Sequence, residues 1–178
     1  KLYWENNVCG TENLLDAMKI AQIKNIVFSS SAAVYGEQSI QPVHENMTPK
    51  PVSIYAKTKF ECERKIQKFV NEERSKAISL RYFNPVGSHE DSVVCEDYKT
   101  SENLISMIIR AAKKEKKQLD IYGRYFNTKD GTAERDFIHI NDLINGHFKA
   151  IQKINELSST YENINLGTGL NISIQKIA

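Results

Sequence analysis

Long hydrophobic runs are missing from this chain. Nowhere in its 178 residues does an apolar stretch approach the ~18 residues of a membrane-spanning helix, so no membrane partner is expected. Charge of one sign is also missing. With 24 Lys and Arg against 22 Asp and Glu, the net charge is +2, too weak a field to steer nucleic acid. The densest basic run, Lys113-Lys114-Glu115-Lys116-Lys117, reads as the solvated last turn of a helix, where cations meet the negative end of the dipole. Cysteine is scarce: Cys9, Cys62 and Cys95 are odd in number and far apart, suiting neither a disulfide framework nor a metal site. A reducing compartment, and with it the cytoplasm, is the expected location. The four histidines, His44, His89, His139 and His147, have no metal-ligand spacing and read as structural or surface groups; no metal is expected. There is no internal repeat, low-complexity tract or linker.

What is present is an ordinary globular composition, 40% hydrophobic and 26% charged, in a chain long enough to bury a core. Lys1 is not a natural start, and the run from Ser173 begins to look like a helix as the sequence stops, so a piece of a longer protein is expected, with any upstream targeting segment invisible. Between those ends the pattern alternates. A helix is predicted over Thr11–Ala21, entered from about Val8, with Leu14, Leu15 and Met18 on one face. Asn25–Ser29 is a short, continuously apolar strand of the kind buried on both sides in a parallel sheet. Ser53 is a plausible N-cap for a helix over Ile54–Glu73. Then come a strand over Ala77–Tyr82, a helix over Asn103–Lys114, a short strand over Leu119–Tyr122, and a strand over Phe137–Ile140. That last strand leads into a helix capped by Asn141 or Asp142, and Asn163–Leu166 forms the final strand. Strand-helix alternation implies an α/β fold with a mainly parallel, doubly wound sheet, in which ligands bind beyond the carboxyl ends of the strands. The segments Pro85–Thr100 and Gly123–Glu134 look like insertions covering a ligand.

Two short pieces carry chemistry. Ser29-Ser30-Ser31 ends the first strand, and Tyr55-Ala-Lys-Thr-Lys59 opens the long helix. Among 8 tyrosines a Tyr-x-x-x-Lys spacing arises by chance, as at Tyr125…Lys129, which sits among loop-forming residues and is set aside. On a helix, however, residues four apart share a face. A phenol with a pKa near 10 is a poor base at neutral pH; a neighbouring ammonium favours the phenolate, and lowering the pKa by ~3 units takes about 4 kcal/mol. Ser31, just past the strand end, could bridge Tyr55 and a substrate oxygen. The three together suggest a dehydrogenase-type proton relay; apart, they would be an exposed Tyr-Lys pair and a serine-rich turn.

Phe28-Ser-Ser-Ser-Ala-Ala-Val-Tyr-Gly36, Tyr55-Ala-Lys-Thr-Lys59, Arg81-Tyr-Phe-Asn-Pro-Val-Gly87 and Asp130-Gly-Thr-Ala-Glu-Arg-Asp-Phe-Ile-His139 occur in that order, flanked by Asn6–Thr11 and Asn163–Gly169. In these motifs the chain resembles the UDP-glucose 4-epimerases, a branch of the extended short-chain dehydrogenase/reductases, over essentially its whole length. The resemblance implies an NAD-dependent, Rossmann-like isomerase of galactose metabolism acting on UDP-glucose and UDP-galactose, a homodimer when full-length. It implies Tyr55 as catalytic base and acid, Lys59 tuning Tyr55 and binding the nicotinamide ribose, and Ser31 holding the sugar 4-hydroxyl. It further implies Asn6 and Phe83 against the NAD, Asn84 and Arg135 at the diphosphate, Asn103 and Leu104 seating the nucleotide sugar, and Asp120, Ile121 and Tyr122 edging the uridine. Residues 1–84 would be the later part of the NAD-binding domain, and 85–178 a substrate region interleaved with late Rossmann elements. The helices around Leu14–Met18 and Phe60–Phe69 would pair with their copies in the dimer, or pack on the sheet.

Some of these residues have readings of their own. Arg135 offers a planar fork for phosphate oxygens, or an ion pair with Glu134 or Asp136. Asn84 is held extended by Pro85, or is a turn former. Tyr122 edges a ligand, or packs in the core.

One family element is absent: the glycine-rich turn that holds the NAD pyrophosphate at a helix N-terminus. The sole Gly-x-Gly is Gly167-Thr-Gly169, which lacks the third glycine. This segment alone is therefore expected to bind NAD poorly and turn over little. Among relatives in the superfamily, a 4,6-dehydratase would carry an acid and base where Ala32-Ala33 stand. A UDP-hexuronate 4-epimerase and a non-catalytic nucleotide-sugar-binding protein also compete with the UDP-glucose 4-epimerase reading.

Overall fold

The structure, a computed structural model, describes residues 1–38, 40–89, 91 and 96–178. Cys95 and part of the expected 85–100 insertion lie outside the described residues. The chain divides into two compact units. The first comprises Lys1–Phe83 and Ile144–Leu166, the second Asn84–Leu143 and Gly167–Ala178. The chain thus passes between units three times.

The first unit is a parallel sheet with strand order β1-β2-β5, in which β1 is Asn25–Ser29, β2 is Lys76–Tyr82 and β5 is Tyr161–Leu166. Period-two alternation in β2 sends successive side chains to opposite faces. On one face Ala77 packs with Leu15 and Met18 of helix α1 (Gly10–Ile20) and with Ile66, Phe69 and Val70 of helix α2 (Ile54–Glu73). On the other, Ile78 and Leu80 meet Ala150 of helix α4 (Ile140–Lys153) and Ile154 just beyond it. Helices on both faces of a parallel sheet make the doubly wound α/β layer expected from the sequence. Each fully buried aliphatic side chain contributes about 1.5–3 kcal/mol of hydrophobic stabilisation.

The helices differ from expectation in detail. A π-helical stretch, Trp4–Cys9, runs directly into α1, so the helix begins about a turn before Val8. Its inward face is Val8, Thr11, Leu15 and Met18, spaced by three and four; Leu14 is about half exposed and belongs to the outer side. α2 begins where the sequence placed it, with the Ser53 hydroxyl accepting a hydrogen bond from the Ala56 N–H at 3.1 Å. It ends at Arg74, which takes a left-handed conformation.

The second unit contains β3 (Asn84–Val86), β4 (Glu134–His139) and β6 (Asn171–Ser173), with β3 parallel and β6 antiparallel to β4. It also holds helix α3 (Leu104–Ala112) and the single-turn α5 (Ile174–Ile177). The expected strand over Leu119–Tyr122 does not form; those residues are irregular, a four-residue apolar-polar run being too short to specify a strand without a paired neighbour. β3 occupies the start of what the sequence presented as an insertion. α4 starts at Ile140, and in its first turn the His139 ring accepts from the Asn141 N–H on Nδ1 at 3.2 Å. Among the described residues no helix is long and apolar enough to cross a membrane.

Candidate active site

Strand β1 and helix α2 build the site. The strand stops at Ser29, and Ser31 turns its extended backbone into a 3₁₀ turn over Ala32–Tyr35, accepting the Ala33 N–H on its own hydroxyl at 3.2 Å. Ala32 and Ala33 therefore lie at the first positions of that turn and carry no acid or base. The three serines have three fates. The Ser29 hydroxyl hydrogen-bonds His147 Nε2 at 2.8 Å, the Ser30 hydroxyl is buried against Glu63, and Ser31 faces Tyr55.

Tyr55 stands on the first turn of α2, its backbone carbonyl accepting from the Thr58 hydroxyl at 2.8 Å. Burial raises the phenol's pKa above its ordinary value, the neighbouring Tyr82 adds to this, the Ser31 hydroxyl works against it by hydrogen-bonding the phenol oxygen, and Tyr3 adds a small upward push. The Tyr3 ring meets Tyr55 edge-on, with 5.9 Å between centroids. One turn on, Lys59 Nζ donates to the Ser29 carbonyl at 2.9 Å and lies 5.0 Å from the centre of the Phe28 ring and 5.9 Å from that of Tyr55. Burial lowers the Lys59 pKa. The expectation that Lys59 depresses the Tyr55 phenol needs correction for the protein's own groups: the ammonium is engaged with a backbone carbonyl, and desolvation of the phenol prevails.

Asn6, Asn7, Thr11, Phe28, Lys59 and Cys62 line a cavity of about 300 Å³ beside this pair. Asn7 is held by its amide donating to the Thr58 hydroxyl at 2.9 Å, and the Thr11 hydroxyl reaches the Cys62 sulfur at 3.3 Å. Burial raises the Cys62 thiol's pKa. Polar side chains and the Phe28 ring share this lining, and Asn6 and Lys59 are the ones that could hold one end of a dinucleotide. Phe83, also in the first unit, is half-buried where β2 ends, its N–H donating to Leu166 O at 3.1 Å.

The other sequence-predicted residues fall in the second unit. Asn84 lies in β3 and donates to the Asp136 carbonyl at 2.9 Å. Arg135 is exposed, and its guanidinium donates to the Glu134 backbone carbonyl at 2.9 Å; among the described ion pairs it joins neither Glu134 nor Asp136. Asn103 precedes α3 and donates to Glu96 at 2.6 Å, while Leu104 opens the helix half-buried. Asp120 lies 3.5 Å from Lys116 Nζ. Ile121 is half-buried, and Tyr122 is 81% exposed, so it is not a core residue.

Sequence reasoning missed a buried polar network behind Ser31. Arg81 on β2 grips Glu63 of α2 in a fork, Nε to Oε1 at 2.9 Å and Nη2 to Oε2 at 2.6 Å, and donates from Nη1 to the Tyr35 hydroxyl at 3.0 Å. Tyr35 donates in turn to Asn165 Oδ1 at 2.7 Å. Burial pulls the Arg81 pKa down, but the bonds and charge of Glu63 outweigh it and the net shift is upward. The signal was present: Arg81 stands among apolar residues inside a predicted strand, and an arginine buried there must find a counter-charge.

A parallel sheet with a tyrosine-lysine helix docked at a serine-bearing strand end defines the dinucleotide-linked dehydrogenase class of α/β proteins. The chain belongs to the NAD dependent epimerase/dehydratase family, whose model matches residues 1–167. It is 41% identical over 176 residues to a UDP-glucose 4-epimerase of Drosophila melanogaster, covering 97% of this chain and 50% of that one. It is 42% identical over 179 residues to UDP-glucose 4-epimerase 2 of Oryza sativa subsp. japonica, covering 99% and 44%. Among solved structures, the UDP-glucose 4-epimerase of Bifidobacterium longum in complex with NAD+ and UDP superposes with a TM-score of 0.90 at 34% identity, covering 98% of this chain and 52% of that one. The chain spans about half the length of the curated relatives it matches.

Proposed function

We propose that the full-length protein interconverts UDP-glucose and UDP-galactose at C4, with NAD as cofactor, through a 4-keto sugar. The observation that carries this reading is the convergence of Ser31, Tyr55 and Lys59 at the end of β1. Tyr55 takes the proton from the sugar 4-hydroxyl and returns it. Ser31 holds that oxygen against Tyr55, and Lys59 keeps a cation beside the phenol. NAD, when bound, supplies the acceptor and donor for the C4 hydride. Burial, with Tyr82 adding to it, holds the phenol above its ordinary value, so the base function needs the site's cations, Lys59 among them, to offset desolvation. Asn6, Phe83 and Lys59 hold the cofactor. Asn84 and Arg135 grip the diphosphate, Asn103 and Leu104 seat the nucleotide, and Asp120, Ile121 and Tyr122 border the uridine. A firm hold on the remote nucleotide with a loose one on the sugar lets the ring turn over between the two transfers.

The relatives' names support the reaction, and the alanines at 32 and 33 favour it over dehydration, which needs an added acid and base. Operation as a homodimer belongs to the same proposal, as does a cytoplasmic location, for which Cys9 and Cys62 stand as free thiols. The test is an assay of the full-length protein for conversion of UDP-galactose to UDP-glucose, repeated with Tyr55→Phe. Turnover in the parent and a loss of about 10²–10⁴-fold in the variant, with nucleotide binding kept, is expected. An unchanged rate in the variant removes Tyr55 from the mechanism.

A further inference from the structure

Tyr55, Lys59 and Glu63 stand on successive turns of one face of α2, and all three meet the same short piece of chain. Tyr55 faces Ser31, Lys59 donates to the Ser29 carbonyl at 2.9 Å, and Glu63 receives the Ser30 hydroxyl. Glu63 is tied further, to Arg81, each side chain being 3% exposed. Arg81 belongs to β2, whose neighbour β1 is locked to it in register from Asn25–Lys76 to Ser29–Leu80, and the Ser30 N–H donates to the Leu80 carbonyl at 2.9 Å. A forked guanidinium-carboxylate pair fixes direction as well as distance. A buried pair of this kind is weak evidence for stability, because apolar replacements of similar volume often serve as well. Its geometry, by contrast, sets how far α2 can slide along or rotate against the end of β1.

We infer that Glu63 and Arg81 are positioning residues for the proposed reaction: the pair sets the axial placement of α2 so that Tyr55 and Ser31 meet. The inference rests on the function proposed above. Arg81 also holds the Tyr35 hydroxyl, at the far end of the 3₁₀ turn that Ser31 opens. The pair therefore pins both partners of the relay, the helix bearing Tyr55 through Glu63 and the turn beginning at Ser31 through Tyr35. Neither Glu63 nor Arg81 needs to touch substrate.

The test uses the full-length protein with a Glu63→Met/Arg81→Met double variant, which leaves no uncompensated buried charge, and a Ser30→Ala variant, which deletes only the hydroxyl link between strand and helix. Ile66→Val, a core change on the same helix, is the control for a small loss of stability without loss of alignment. Tyr55→Phe is measured in parallel. The double variant is expected to lose about 10–100-fold in kcat with KM for the nucleotide sugar within about twofold, as misplacement by about an ångström does. Ser30→Ala is expected to lose severalfold in kcat, and Ile66→Val none. Parental kcat in both the folded double variant and Ser30→Ala overturns the inference; if the double variant does not fold, Ser30→Ala alone decides. Full activity in Tyr55→Phe instead overturns the proposed reaction itself, so the two failures are distinct.

Discussion

Lys59 reaches back thirty residues to the carbonyl of Ser29 and donates to it at 2.9 Å, so the ammonium beside Tyr55 is held by the backbone of the strand that carries Ser31. A cation fixed this way keeps its place whatever the state of the phenol. In the full-length protein, Lys59→Met retains the apolar stem and removes the donor and the charge. The expected outcome is a fall in kcat of about 10²-fold or more with the protein still folded, since a phenol raised by burial loses its nearby cation. Steady-state kinetics at neutral pH check it. A kcat near the parental value would show that Lys59 serves only the strand end.

Alkaline pH probes a different tyrosine. Tyr161 begins β5, donates to Asn163 Oδ1 at 3.0 Å and accepts from the Ser79 hydroxyl at 2.8 Å, and burial, with the Glu63 charge nearby, pushes its phenol well above the ordinary value. A folded-state pKa above the unfolded one favours the protonated form. The stability it contributes is present in full below about pH 10 and is lost as pH rises toward the folded-state value. Chemical denaturation of the full-length protein should show stability falling above about pH 10, and Tyr161→Phe should flatten that fall while costing about 1 kcal/mol at neutral pH for the lost hydrogen bonds. The same steep fall in Tyr161→Phe would assign the alkaline limb to another group.

Residues whose chemistry is local were legible in the sequence. Ser53 with its helix and the apolar β1 appear at the residues where their patterns placed them, because an N-cap and a short apolar strand are specified within a few residues, but all five residues of β1 are half-buried rather than buried on both sides. The Tyr55–Lys59 pair was legible for the same reason, a helical spacing of four. Leu14 was misplaced because a longer helix, begun through the π-helical stretch, changes which positions face inward. Leu119–Tyr122 read as a strand because apolar content was visible and the missing partner strand was not. Glu63 and Arg81 went unseen because their meaning lies in a pairing across 18 residues that only the packing of α2 on β2 creates.

Asp136 is the buried carboxylate of the second unit and a candidate for its main structural anchor. One oxygen accepts from the Thr168 N–H at 2.9 Å and the Thr168 hydroxyl at 2.7 Å, and the other accepts from the Gly169 N–H at 2.8 Å, tying β4 to the turn before β6. Asp136→Ala strands two backbone donors and should cost about 2–3 kcal/mol. Asp136→Asn, able to accept on one side only, should cost less. Thermal or denaturant unfolding of the full-length protein orders the two, and equal stability of both with the parent would show that water replaces the carboxylate without loss.

Gly36 closes the 3₁₀ turn that Ser31 opens, at φ +63°, and a Cβ built there would lie 2.0 Å from the Lys50 carbonyl oxygen. Gly169 also has a positive φ, +73°, but nothing lies within 4 Å of where its Cβ would stand. The two glycines separate backbone strain from collision. Gly169→Ala meets strain alone and should cost about 1–2 kcal/mol. Gly36→Ala adds a clash with backbone that cannot swing aside, so it should cost more than Gly169→Ala by at least about 1 kcal/mol. It must also shift the turn relative to the segment at Lys50, and Ser31 lies at the other end of that turn. Gly36→Ala should therefore lower kcat as well as stability, while Gly169→Ala lowers stability with less effect on kcat. Paired unfolding and kinetic measurements on the full-length protein decide it: equal losses of stability at the two positions would mean that the Lys50 segment yields to the added methyl group, and that the turn after Ser31 is not held from that side.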